Sequence, residues 1–158
     1  MDLYAILEEL EIEYEEIEHP PVYTVEEARS VQGKIEGIGC KNLLLTNKKK
    51  EKFFLVILEE NKKADIKAIS VLVGVPHLFF ANSENLYETL GLIPGSVSPL
   101  GIINDKEKRV SLLIDEELKG KRLLFHPNTN TKTLSLSYED LIRFVECEGQ
   151  EYRLLQQR

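Results

Sequence analysis

Lys41-Asn42-Leu43-Leu44-Leu45-Thr46 and Phe53-Phe54-Leu55-Val56-Ile57-Leu58 decide the fold. Two apolar runs of strand length, joined by the polar stretch Asn47 to Lys52, predict a β-hairpin with a lysine-rich tip. The second run is apolar at every position, so neither of its faces suits water. That predicts a central strand covered on both sides.

Helices are expected on either side of this hairpin. Asp65 to Val73 places Ile66, Ile69, Leu72 and Val73 on one face of an amphipathic helix ended by Gly74. Leu78 to Ala81 reads as a short strand, and Ser83 as the cap of a helix running to Leu90. Upstream, Asp2 to Leu10 reads as a helix, Ile12 to Ile17 as a strand ending at His19-Pro20-Pro21, and Thr24 as the cap of a short helix reaching Val31. Downstream, Arg109 to Ile114, Arg122 to His126 and Lys132 to Leu136 read as strands. Ser137 with Asp140 caps a last helix to about Glu146, and Tyr152 to Leu155 adds a final edge. Helices and strands interleave without strict βαβα order, and the hairpin requires antiparallel pairing. The expectation is an α+β fold, a single mixed twisted sheet with helices packed around it, forming one domain over residues 1–158.

Composition narrows the class. Hydrophobic residues make up 42% and charged residues 30%, as in soluble globular proteins. No apolar run approaches the roughly 18 residues of a membrane helix, and the acidic, amphipathic start is unlike a signal peptide. Cys40 and Cys147 show no metal or redox spacing, which points to a cytoplasmic protein with two buried structural thiols. The net charge of −7 argues against a general nucleic-acid binder. A local basic surface is still available from Lys48, Lys49, Lys50 and Lys52, from Lys62, Lys63 and Lys67, and from Lys119, Lys121 and Arg122.

The chemistry-bearing motifs are few. The chain has no Gly-x-Ser-x-Gly, no His-Glu-x-x-His, no cysteine cluster, no Gly-x-Gly-x-x-Gly and no Walker pattern. Neither a metal nor a cofactor is expected. Gly91 to Ile102 holds three glycines and two prolines in twelve residues and no charge. Such a loop is shaped rather than floppy; it is either a structural crossover or a ligand-binding loop. Lys41, at the mouth of an apolar strand, is either a surface charge or a cation that holds a carbonyl or phosphate. His126-Pro127-Asn128 makes a rigid polar corner, either a self-bonded turn or the wall of a small-ligand site. His19 and His77, each beside proline, read as structural.

Four segments in order carry a resemblance. His19-Pro20-Pro21-Val22-Tyr23-Thr24-Val25-Glu26-Glu27-Ala28, Lys41-Asn42-Leu43-Leu44-Leu45, Gly95-Ser96-Val97-Ser98-Pro99-Leu100-Gly101 and His126-Pro127-Asn128 together resemble the YbaK/prolyl-tRNA-synthetase-associated domain family. Its free-standing members are prolyl-tRNA editing proteins. Ser98 and Leu100 stand where relatives often carry Thr and Phe. The resemblance implies hydrolysis of the ester of mischarged Ala-tRNA(Pro), with Cys-tRNA(Pro) or another small-residue aminoacyl-tRNA as the alternative substrate. A non-catalytic module that binds the tRNA end or the synthetase is a third reading. It implies Lys41 as the essential catalytic residue and Asn42, Gly95, Ser96, Pro99, His126 and Asn128 as substrate-binding residues. The implied partners are the acceptor end of mischarged tRNA(Pro) and prolyl-tRNA synthetase, with no DNA and no membrane, and the chain is expected to act as a monomer.

Overall fold

The computed structural model describes residues 2–21 and 25–156. Strands β1 (Glu15–Glu18), β2 (Ile38–Thr46), β3 (Phe53–Glu59), β4 (Phe79–Phe80), β5 (Val110–Asp115), β6 (Arg122–Phe125), β7 (Lys132–Ser137) and β8 (Tyr152–Leu155) form one eight-stranded sheet. Its order is β1-β7-β6-β2-β3-β5-β8, with β4 also beside β2. The sheet is mixed. β1/β7, β6/β7, β2/β3 and β2/β4 are antiparallel, whereas β2/β6, β3/β5 and β5/β8 are parallel.

The hairpin forms as the pattern predicts, Thr46 opposite Phe53 and Cys40 opposite Glu59. Asn47 closes its tip: the side-chain Oδ1 accepts from the backbone N–H of Glu51 and Lys52. That leaves Lys48 to Lys50 exposed. β3 is buried on both faces, with Leu55, Val56, Ile57 and Leu58 all at 0% exposure. Each such side chain contributes roughly 1.5–3 kcal/mol of transfer free energy.

Two cores follow from this. On one face, Leu44, Phe53, Leu55, Ile57, Leu112 and Ile114 pack with residues of helices α1 (Leu3–Glu9), α4 (Ser83–Leu90) and α5 (Tyr138–Cys147). On the other, Leu45, Val56, Leu58 and Leu113 pack with Ile69 of α3 (Ile66–Val73). The remaining helix, α2, spans Val25–Gln32.

Several expectations need correction. The first strand begins at Glu15, not Ile12; Ile12 is buried but precedes the ladder. The cap of α4 is Asn82, whose Oδ1 accepts from the Asn85 N–H, so Ser83 is already the first helical residue. The loop after α4 is not wholly irregular, because Pro99–Asn104 forms a 3₁₀ helix capped by Ser98. Cys147 is exposed rather than buried. The expected cap at Thr24 lies outside the described residues.

Candidate functional site

The candidate site is built on β2. One edge of this strand is paired with β3 from Cys40 to Thr46. The other edge is shared. β6 covers it only at Ile38 and Gly39, and β4 only at Leu45 and Thr46. Between them, residues 40–43 have no ladder partner on that edge among the described residues. The sheet opens here, and Lys41 stands in the opening. It is half-buried, and among the described residues no hydrogen bond or ion pair engages its ammonium.

Register fixes what shares this opening. Ile38 is level with Leu123 and Gly39 with Leu124. Two residues further along the parallel strands stand Lys41 and His126, on the same face of the sheet by strand alternation. Asn42 projects to the opposite face, with Leu44.

From that side Asn42 reaches the glycine-proline loop. Its Nδ2 donates to the Val97 carbonyl at 3.2 Å. Asn128, beyond β6, holds the same loop from the other strand, its Nδ2 donating to the Leu100 carbonyl at 3.3 Å. Asn128 has φ +64°, a left-handed conformation that Asn tolerates better than most residues. The loop therefore bridges the two strands where they part.

Within the loop the predicted residues differ in what they offer. Gly95 is exposed with φ +94°, and the atom nearest to an added Cβ is Asn130 Nδ2 at 3.9 Å. The space beside it is open, so backbone conformation rather than crowding demands glycine here. Ser96 is buried, and both its N–H and its Oγ donate to the Ile93 carbonyl at 3.1 Å. Pro99 is buried and opens the 3₁₀ helix. Gly101 is different again: an added Cβ would lie 2.6 Å from Leu92 Cδ1.

His126 is held in one tautomer. Its Nδ1 bonds the Lys132 carbonyl at 2.9 Å, so Nδ1 carries the proton. Its Nε2 has no hydrogen-bond partner among the described residues. Burial lowers the His126 pKa; the Lys132 carbonyl opposes this by favouring the charged ring, and His19 adds to the lowering. His19, which the sequence assigns to structure, stands beside it with ring centroids 6.0 Å apart. Its Nε2 meets Thr133 Oγ1 at 2.8 Å and its Nδ1 the Pro20 carbonyl at 2.8 Å. No local pattern could reveal this pairing, because it depends on β1 and β6 flanking β7.

Cys40 lies on the Asn42 face and takes no part in the Lys41 opening. Burial pushes its thiol up to about 12, so it is a neutral thiol. Among the described residues no group of three His, Cys, Asp or Glu side chains could hold a metal ion, and no helix is long and apolar enough to cross a membrane. A separate groove of about 1030 Å³ lies where β3, β5 and β8 begin, at the end of the sheet away from Lys41.

The model of the aminoacyl-tRNA editing domain matches residues 19–144. The chain is 37% identical over 155 residues to the prolyl-tRNA editing protein ProX of Acetoanaerobium sticklandii, covering 96% of this chain and 93% of that protein. It is 35% identical over 148 residues to the prolyl-tRNA synthetase associated domain-containing protein 1 of Danio rerio, covering 92% of this chain and 80% of that one. Its fold is similar to a crystal structure described as a candidate trans-editing enzyme for prolyl tRNA synthetase. The TM-score is 0.70 at 23% identity, over 92% of this chain and 87% of the other.

Proposed function

Because the chain belongs to the aminoacyl-tRNA editing domain family, we propose that it is a trans-acting deacylase that hydrolyses Ala-tRNA(Pro) at the opening beside Lys41. The observation that carries this reading is the Lys41 ammonium, without an ion pair among the described residues, on the stretch of β2 between its β6 and β4 pairings.

An aminoacyl ester is reactive enough that orientation and charge stabilisation suffice for its hydrolysis. Water adds to the ester carbonyl carbon, the bond to the ribose oxygen breaks, and alanine leaves a tRNA with a free terminal hydroxyl. Lys41 stabilises negative charge at the scissile end, on the developing oxyanion or on the terminal phosphate. His126, neutral and with no Nε2 partner among the described residues, accepts a hydrogen bond from the water or from a substrate hydroxyl. In this reading Asn42 and Asn128 act through the loop they hold at Val97 and Leu100, and Gly95 in that loop bounds the aminoacyl pocket.

A site of limited size meets a real need. A pocket that accepts proline cannot exclude the smaller alanine sterically, and the lost contacts discriminate only modestly, so a second site must remove the product. The partner in this reading is the acceptor end of mischarged tRNA(Pro), with prolyl-tRNA synthetase as the source of the substrate. Deacylation of Ala-, Cys- and Pro-tRNA(Pro) tests the assignment. Ala-tRNA(Pro) should be cleaved and Pro-tRNA(Pro) spared. Cleavage of Cys-tRNA(Pro) alone would move the substrate to cysteine, and cleavage of none would leave a binding module.

A further inference from the structure

β4 presents two exposed phenylalanines, Phe79 at 51% and Phe80 at 65% exposure. Two large apolar rings on a two-residue strand bury little that would stabilise the fold. They are not equivalent. Phe80 pairs with Leu45 and Phe79 with Thr46. Directly paired residues share a face, and Leu45 shares its face with Lys41, four residues back along β2. Phe80 therefore stands on the Lys41 face and Phe79 on the opposite one. The rise of about 3.3 Å per residue puts Phe80 roughly 13 Å along the strand from Lys41. The two residues border the same opening: β4 bounds it on the Phe80 side, and the end of β6 bounds it at His126.

We infer that Phe80 is a stacking platform for an unpaired base of the RNA 3′ end whose ester lies at Lys41. This rests on the deacylase reading, which places an aminoacylated RNA end in the opening and leaves the preceding unpaired nucleotides to follow the open edge of β2 toward β4, since Leu45 on the Lys41 face is itself buried against α3. Sequence-tolerant binding of single strands uses such exposed rings, because every base has a π-face. Lys41 supplies the charge for the backbone, and Phe80 a flat apolar surface on a chain whose net charge is −7.

The test uses the full chain with an uncharged acceptor-stem hairpin RNA carrying an unpaired 3′ CCA end, measured by fluorescence anisotropy. Phe80→Ala should weaken binding about tenfold, the scale of one lost base–aromatic stack. Phe80→Trp should restore it, and Phe80→Leu, apolar but not flat, should not. Phe79→Ala, on the other face, should bind within about twofold of the parent, in line with the small effects of surface changes. A hairpin lacking its CCA end should bind parent and Phe80→Ala alike. Thermal melting checks folding, and an exposed ring should be removable without loss of the transition. Equal CCA-hairpin affinity for folded Phe80→Ala and parent would overturn the inference, as would full rescue by leucine, which would mark an apolar protein-docking residue instead. The failures separate cleanly: deacylation without Phe80 dependence sinks only the platform. Phe80-dependent RNA binding without deacylation sinks the enzymatic reading and leaves the platform standing.

Discussion

Lys41 on β2 and His126, the first residue past β6, each lie two residues beyond the last bridged pair of the parallel strands, Gly39 with Leu124. The strands part at that point, so a cation and a neutral imidazole share one opening in the sheet.

This arrangement predicts a pH dependence. Burial holds His126 below its ordinary value, so it is neutral at pH 7 with Nε2 able to accept. Single-turnover hydrolysis of Ala-tRNA(Pro), corrected for the uncatalysed rate, should be flat through neutrality and fall in acid, with a midpoint below about 6.5. His126→Gln should remove that limb. A midpoint above 6.5 would exclude His126 as its source. Stability follows the same sign. Between the folded and unfolded pKa values the unfolded chain binds more protons, so stability is fully present above the unfolded value and is lost as pH falls through the folded one.

The loop depends on its two amide anchors. Asn42→Ala leaves the Val97 carbonyl without its donor and should cost about 1–2 kcal/mol in urea unfolding. Asn128→Gly keeps the left-handed backbone and loses only the bond to Leu100, whereas Asn128→Ala adds strain of about 1 kcal/mol. Equal stability of the two Asn128 variants would show that the positive φ is not what asparagine supplies there.

Gly95 separates conformation from space. At φ +94°, Gly95→Ala should destabilise by about 1–3 kcal/mol. Because the surroundings are open, Gly95→Gln should cost little more stability than alanine, yet reduce kcat/KM further by filling the opening. Equal activity of the two variants would take Gly95 out of the pocket.

The helix cap offers a direct check on local structure. Asn82→Ala should cost about 1 kcal/mol, and Ser83→Ala less than about 0.5 kcal/mol. The reverse order would restore Ser83 as the cap.

These residues also show what the sequence carried. The β2–β3 hairpin was legible because period and turn chemistry are local. α5 was legible from Ser137, whose Oγ accepts from the Asp140 N–H. Asn82 and Ser83 are two capping residues side by side, and pattern does not choose between them. The candidate site residues were named from motif order, which does not give their arrangement. That Lys41 and Asn42 face opposite sides follows from alternation, whereas their neighbours follow from the parallel β2/β6 pairing, across more than eighty residues of chain. A comparable distance hid His19 beside His126, and the shorter-range β2/β4 pairing hid Phe80 on the Lys41 face.

The most direct measurement is single-turnover deacylation of Ala-tRNA(Pro) and Pro-tRNA(Pro) by the parent chain and Lys41→Ala, with urea unfolding of both. The account predicts that the parent cleaves Ala-tRNA(Pro) and spares Pro-tRNA(Pro). Lys41→Ala should lose at least about a hundredfold in rate, the scale of one lost charge-stabilising group, while unfolding at nearly the same urea concentration. A folded Lys41→Ala variant that turns over Ala-tRNA(Pro) at the parent rate would contradict it.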